Sequence, residues 1–144
     1  MQFIRCCLLL GLFATMSLQA AENARATIID TGSTNRRGVQ VTVNANGSAI
    51  IEPHGLAPHS LQVNSHLCKR FLSGLVAATP LQALPAAHCV KSASFGSRLF
   101  IEYNGERTPD LSCPVQQNST VDGLKKQALE LLKAANTSSS SQKF

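Results

Sequence analysis

The chain has 144 residues, with 13 Lys and Arg against 8 Asp and Glu and a formal net charge of +5. It holds 1 Tyr, 6 Phe and no Trp, so stacking on bases or sugars has little surface to use. The cations are scattered, with only Arg36-Arg37, Lys69-Arg70 and Lys125-Lys126 adjacent, which excludes the basic stripe that tracks a phosphate backbone and leaves nucleic acid outside the expected partners.

Arg5, the apolar run Cys6–Met16 and the small residues Ala20-Ala21 follow the order of a secretory signal peptide. The run is too short to cross a bilayer, which needs about 20 residues. Residues 1–20 are therefore read as a signal, and the working protein as exported, periplasmic or extracellular, with no transmembrane segment. Removing Arg5 leaves 12 cations against 8 acids, a net charge of about +4. Residues 21–135 are of a length for one domain.

Residues 24–30 predict a first strand, centred on Thr27, Ile28 and Ile29. Residues 31–38 are a polar loop of turn formers carrying Arg36 and Arg37. Val39-Gln-Val-Thr-Val-Asn44 alternates apolar and polar residues, the period of a strand with one buried face. Asn46-Gly47 then predicts a two-residue hairpin into Ser48–Glu52, with Val43 facing Ile50. Pro53, Gly55 and Pro58 break the chain. Asn64 or Ser65 caps a helix to about Ala78, whose apolar side holds Leu67, Cys68, Phe71, Leu72, Leu75 and Ala78. Thr79-Pro80 ends it, and Leu81 and Leu84 tuck under the core from a short connector.

Residues 95–103 predict a strand, and Asn104-Gly105 a second tight turn that pairs Tyr103 with Glu106, Glu102 with Arg107 and Ile101 with Thr108. Pro109 cannot donate to a ladder, so Arg107–Cys113 reads as an edge or bulged strand. Ser119 starts a last helix, with Asp122 placed for a capping box and Val121, Leu124, Ala128, Leu131, Leu132 and Ala135 as its apolar stripe. The Ser-rich residues 136–144 read as a disordered tail. The expected fold is α+β: an antiparallel sheet of about four to five strands, with two Asn-Gly hairpins and two helices packed on one face.

With the signal removed, Cys68, Cys89 and Cys113 remain, allowing three single bridges. Cys68 falls on the apolar side of a helix, where a free cysteine behaves as a small hydrophobe. That favours Cys89–Cys113, which would contribute about 3 kcal/mol in the chain-entropy model. His54, His59, His66 and His88 lack metal-ligand spacing, and no metal or cofactor is expected. His88-Cys89 invites a thiol-nucleophile reading, although neighbours in sequence rarely serve one reacting centre. No nucleophile elbow or phosphate-binding glycine loop occurs. Two candidate contact surfaces remain: Asn35, Arg36 and Arg37 in the polar loop, and Arg107, Thr108 and Asp110 on the edge. Strand addition could use that edge, and the alternative is that Pro109 is there to prevent it.

The opening strand, the strand-turn-strand around Val39–Ile51, the helix ending Ala77-Ala78 before Leu84-Pro85, the second Asn-Gly hairpin and the Leu-rich last helix together resemble emfourin-like domains. These are small α+β inhibitors of thermolysin-type metalloproteases, and the resemblance covers residues 26–133. Lys91-Ser-Ala-Ser-Phe-Gly96 and Pro109-Asp-Leu-Ser-Cys-Pro114 are similar to segments of uncharacterised exported bacterial proteins. The expected function is a small exported binding module without catalysis, a protease inhibitor or an envelope-associated partner of another exported protein. The alternatives are a small periplasmic hydrolase or thiol enzyme using Cys89 and His88, and a structural envelope component.

Overall fold

Alternation decides which way each strand faces. In the computed structural model, which describes residues 24–140, β1 (Arg25–Asp30) and β2 (Val39–Asn44) pair antiparallel and turn Ala26, Ile28, Val41 and Val43 into the core. β3 (Ser48–Pro53), β4 (His59–Gln62), β5 (Leu99–Tyr103) and β6 (Glu106–Arg107) complete one antiparallel sheet in the order β4-β3-β2-β1-β5-β6. The α+β expectation holds, with six strands in place of four to five because β4 is added, while the expected Arg107–Cys113 edge is reduced to the two-residue β6. β4 is the strand that sequence reading missed, since Pro53, Gly55 and Pro58 mask the polar-apolar alternation that resumes at His59.

The two Asn-Gly dipeptides make different turns. Asn104 and Gly105 both take positive φ, 52° and 78°, and close a two-residue loop that pairs Tyr103 with Glu106 as expected. At the first hairpin only Gly47 does so, at 90°, and its N–H donates to Asn44 O at 3.0 Å. The loop is therefore three residues long, and Val43 faces Ala49, not Ile50. The reason lies one step along the strand. The expected register would set Glu52 opposite Val41 on the core face, and a buried unpaired carboxylate costs far more than a wider turn. In the observed register Ile51 is buried, and Ile50 and Glu52 are exposed.

Helix α1 (Ser65–Ala78) is capped by Asn64, whose Oδ1 accepts from His66 N at 2.9 Å and Leu67 N at 3.2 Å. It buries Cys68, Phe71, Leu72, Leu75 and Ala78. Helix α2 (Ser119–Ser140) buries the six residues of its expected stripe, in the same cluster as α1 and the inner sheet face. Its capping side chain is Asn118, which accepts from Val121 N at 3.0 Å, so the Ser119–Asp122 capping box is not what starts it. The helix also runs to Ser140, five residues beyond the expected end at Ala135. Within this added length the Thr137 hydroxyl donates to Lys133 O at 2.9 Å, a bond internal to the helix. Residues 1–23 and 141–144, with the signal and the end of the tail, lie outside the described residues.

Gly47 supplies a test. A Cβ there would lie 2.4 Å from Val63 O, whereas one at Gly105 would meet nothing within 4 Å. Both positions hold positive φ, which costs a non-glycine residue about 1–2 kcal/mol. Urea titration should find Gly105→Ala down by about that amount and Gly47→Ala clearly more destabilised, because only Gly47 adds a backbone clash.

Candidate functional site

β5 is shorter at its start than expected, and the residues before it form a separate feature. Leu81–Ala83 is one 3-10 turn with Leu81 fully buried, and Leu84 packs against the core. From there to Arg98 the chain has no helix or strand. It crosses the end of the sheet as a strap. Residues 93–95 turn sharply, closed by Gly96 N donating to Ser92 O at 2.7 Å. This is why the strand begins at Leu99, and why Phe95 is 75% exposed and not part of a ladder.

The strap is fastened on two sides. On one side Cys89 and Cys113 form a disulfide across 24 residues, as the cysteine reading favoured. Beside it Lys91 Nζ donates to Asp110 Oδ2 at 2.7 Å, to Ser97 O at 2.8 Å and to Ser112 Oγ. On the other side the polar loop docks. Thr34 N donates to Ala93 O and Asn35 N to Ser94 O, both at 3.2 Å, and the Ser33 hydroxyl donates to Ser94 O at 2.9 Å. Arg36 joins both ends of this contact: its Nη2 pairs with Asp30 Oδ2 at 2.7 Å and donates to Ser97 Oγ at 2.6 Å. Asp30 is a buried acid, and its Oδ1 also accepts from Gly32 N at 2.9 Å.

The six expected contact residues thus divide. Asn35 and Arg37 are exposed, with Arg37 Nη1 donating to His54 O at 2.8 Å. Arg36 and Arg107 are exposed but committed within the chain, Arg107 to Glu102 at 3.4 Å and over the Phe100 ring at 4.1 Å. Thr108 is buried and cannot meet a partner; its N–H donates to Ile101 O and its Oγ1 accepts from Ile101 N at 3.0 Å. Asp110 is partly buried and serves as a hub, accepting from Leu99 N at 3.1 Å and Ser112 N at 3.0 Å besides Lys91. The edge is also covered at Glu106, whose Oε2 accepts from Leu81 N at 2.6 Å.

Burial acts to raise the Asp110 carboxyl, but the hydrogen bonds from Lys91, Ser112 and Leu99 outweigh it and hold the group at about 2. The Cys89 sulfur is bonded and is not a thiol, and burial pushes the Cys68 thiol up. Among the described residues no group of three or more His, Cys, Asp and Glu could hold a metal ion, and no helix is long and apolar enough to cross a membrane. An intramolecular disulfide fits an oxidising compartment.

Sequence reasoning missed the strap's outward face. Val90 is completely exposed and Phe95 three-quarters so. The available signal was apolar side chains beside a cysteine in a stretch without strand alternation, but placing Phe95 in a strand concealed it. Between the strap and β5 lies a half-open cleft of about 420 Å³, bordered by His88, the disulfide, Arg98, Phe100 and Pro109. Comparisons with protein-family models, curated proteins and solved structures found no match.

Two measurements probe the fastenings. A depressed carboxyl contributes stability that is complete above its unfolded value, about 3.9, and that is lost as pH falls through its folded value of about 2. The urea midpoint of the wild type should drop between about pH 4 and 2, and Asp110→Asn should be less stable near neutrality while losing part of that drop. The Cys89→Ser/Cys113→Ser pair should cost about 3 kcal/mol, since unlinking frees the loop in the unfolded chain.

Proposed function

We propose that this protein is an exported binding module without catalysis, and that its contact surface is the fastened end of the sheet: the strap together with the exposed side chains of Asn35 and Arg37. One observation carries the reading. Val90 and Phe95 are 103% and 75% exposed on a segment held by a disulfide, an ion pair and a docked loop. Large apolar groups on a surface favour association, and burying each is worth about 1.5–3 kcal/mol. On a free loop much of that gain would go to ordering the chain; here the ordering is done before binding. The partner is another exported protein, and the resemblance to emfourin-like domains makes a secreted protease the first to try. The disulfide weighs against the Cys89 thiol-enzyme alternative, because no thiolate is available at that position.

The test is photo-crosslinking from position 95 in an exported-protein fraction, with position 76 on the far helix as control, followed by affinity measurement on whatever is captured. Val90→Asp/Phe95→Asp should weaken binding about thirtyfold or more, the scale of a lost hot spot, and Val76→Asp should leave it unchanged. Equal crosslinking from both positions, or unchanged affinity in the double variant, would sink the assignment.

A further inference from the structure

The cleft behind the strap has three properties that together describe a ligand. The first is charge. Lys91 borders it, but that ammonium spends its three donors on Asp110, Ser97 and Ser112, and Asp110 is neutralised in return. Arg98 also borders it, and its guanidinium makes no hydrogen bond or ion pair to any described residue. The cleft therefore has an excess of one fixed positive charge, with the His88 ring beside it. A guanidinium offers a planar fork of donors that matches a carboxylate.

The second property is backbone. From Pro85 to Lys91 no main-chain N–H or C=O hydrogen-bonds to any described residue. The segment is nonetheless fixed in place at Cys89 and Lys91. An immobilised stretch with unpaired main-chain groups is what an extended peptide needs in order to lie alongside and pair. The third property is the wall. Phe100 and Pro109 line the side facing the strap, Arg107 covers one face of the Phe100 ring and leaves the rest to the cleft, and Arg98, just before β5, borders the same cleft two residues from Phe100. An apolar side chain resting on the ring would leave a carboxylate near Arg98.

We propose that this cleft binds the free C-terminal end of an extended peptide: its carboxylate at Arg98, its main chain against residues 85–91 and its last apolar side chain on Phe100 and Pro109. The volume is that of a small-ligand pocket, which suits the end of a chain and not a segment passing through. The proposal deepens the binding-module reading and rests on it, because the natural ligand would be the tail of a protein partner.

The experiment is NMR titration of the labelled protein with N-acetyl-Ala-Ala-Phe as free acid and as amide, and with an amidated peptide of the same length carrying an internal Glu. The free acid should saturate, moving the resonances of Arg98, Phe100 and residues 86–90. The amide and the Glu peptide should each bind at least tenfold more weakly. Arg98→Gln should lose at least tenfold for the acid, while Lys133→Gln on α2 should lose nothing. Arg98 is exposed, and the unperturbed spectrum of the core will report that the variant folds. Equal binding of acid and amide, equal binding of the Glu peptide, no effect of Arg98→Gln, or no saturable shift at millimolar peptide would each overturn the proposal. If these arms fail while capture still depends on Val90 and Phe95, only the cleft assignment falls; if both fail, the binding-module reading falls with it.

Discussion

The regular pairing of β5 with the returning chain breaks after Thr108, and much of the end of the molecule is tied to that break. Thr108 N still donates to Ile101 O at 2.9 Å, but two side chains stand in for the main-chain acceptors that β5 would otherwise use. Thr108 Oγ1 accepts from Ile101 N and Asp110 Oδ1 from Leu99 N. The ladder resumes one residue out of step, with Leu111 N donating to Leu99 O at 2.8 Å. Using a carboxylate for this purpose creates a partly buried negative charge, which must be paired. Lys91 pairs it, and Lys91 lies in the strap. The break in this ladder is thus tied, through Asp110, to a distant segment of irregular chain.

Much of the sheet and both helices could be read from local patterns. Val39–Asn44 alternates without a fault, and the α2 stripe repeats at helical spacing, so period alone identifies what is buried. The first hairpin shows the limit of that reading. Asn46-Gly47 and Asn104-Gly105 are the same dipeptide, yet the cost of burying Glu52 overrode the preferred turn at one and not the other. A register is a property of both strands together, and a dipeptide rule looks only at what lies between them.

The site was less legible for a related reason. Arg36-Arg37 looked like a free basic pair because nothing nearby in sequence showed that Ser97 and His54 would take their donors. The docking of residues 33–36 on 93–97 spans about sixty positions and leaves no periodic trace. Cysteine arithmetic did better, because the helix around Cys68 removed one candidate and left a single pair. What could not be inferred was the direction in which the stapled segment faces. Val90 stands exposed between Cys89, which is bonded to Cys113, and Lys91, which is paired with Asp110.

Those two neighbours hold the strap by different chemistries. A reductant opens the Cys89–Cys113 bond and leaves Lys91–Asp110 intact; acid discharges Asp110 and leaves the disulfide intact. Either fastening alone keeps the other's partners at a high effective concentration, so re-closure is a local event and not a search. Reduction and acid thus each release a different fastening, and the hydrogen bonds of Ser33, Thr34 and Asn35 to residues 93 and 94 are touched by neither, so the strap is tolerant of each chemical state by itself.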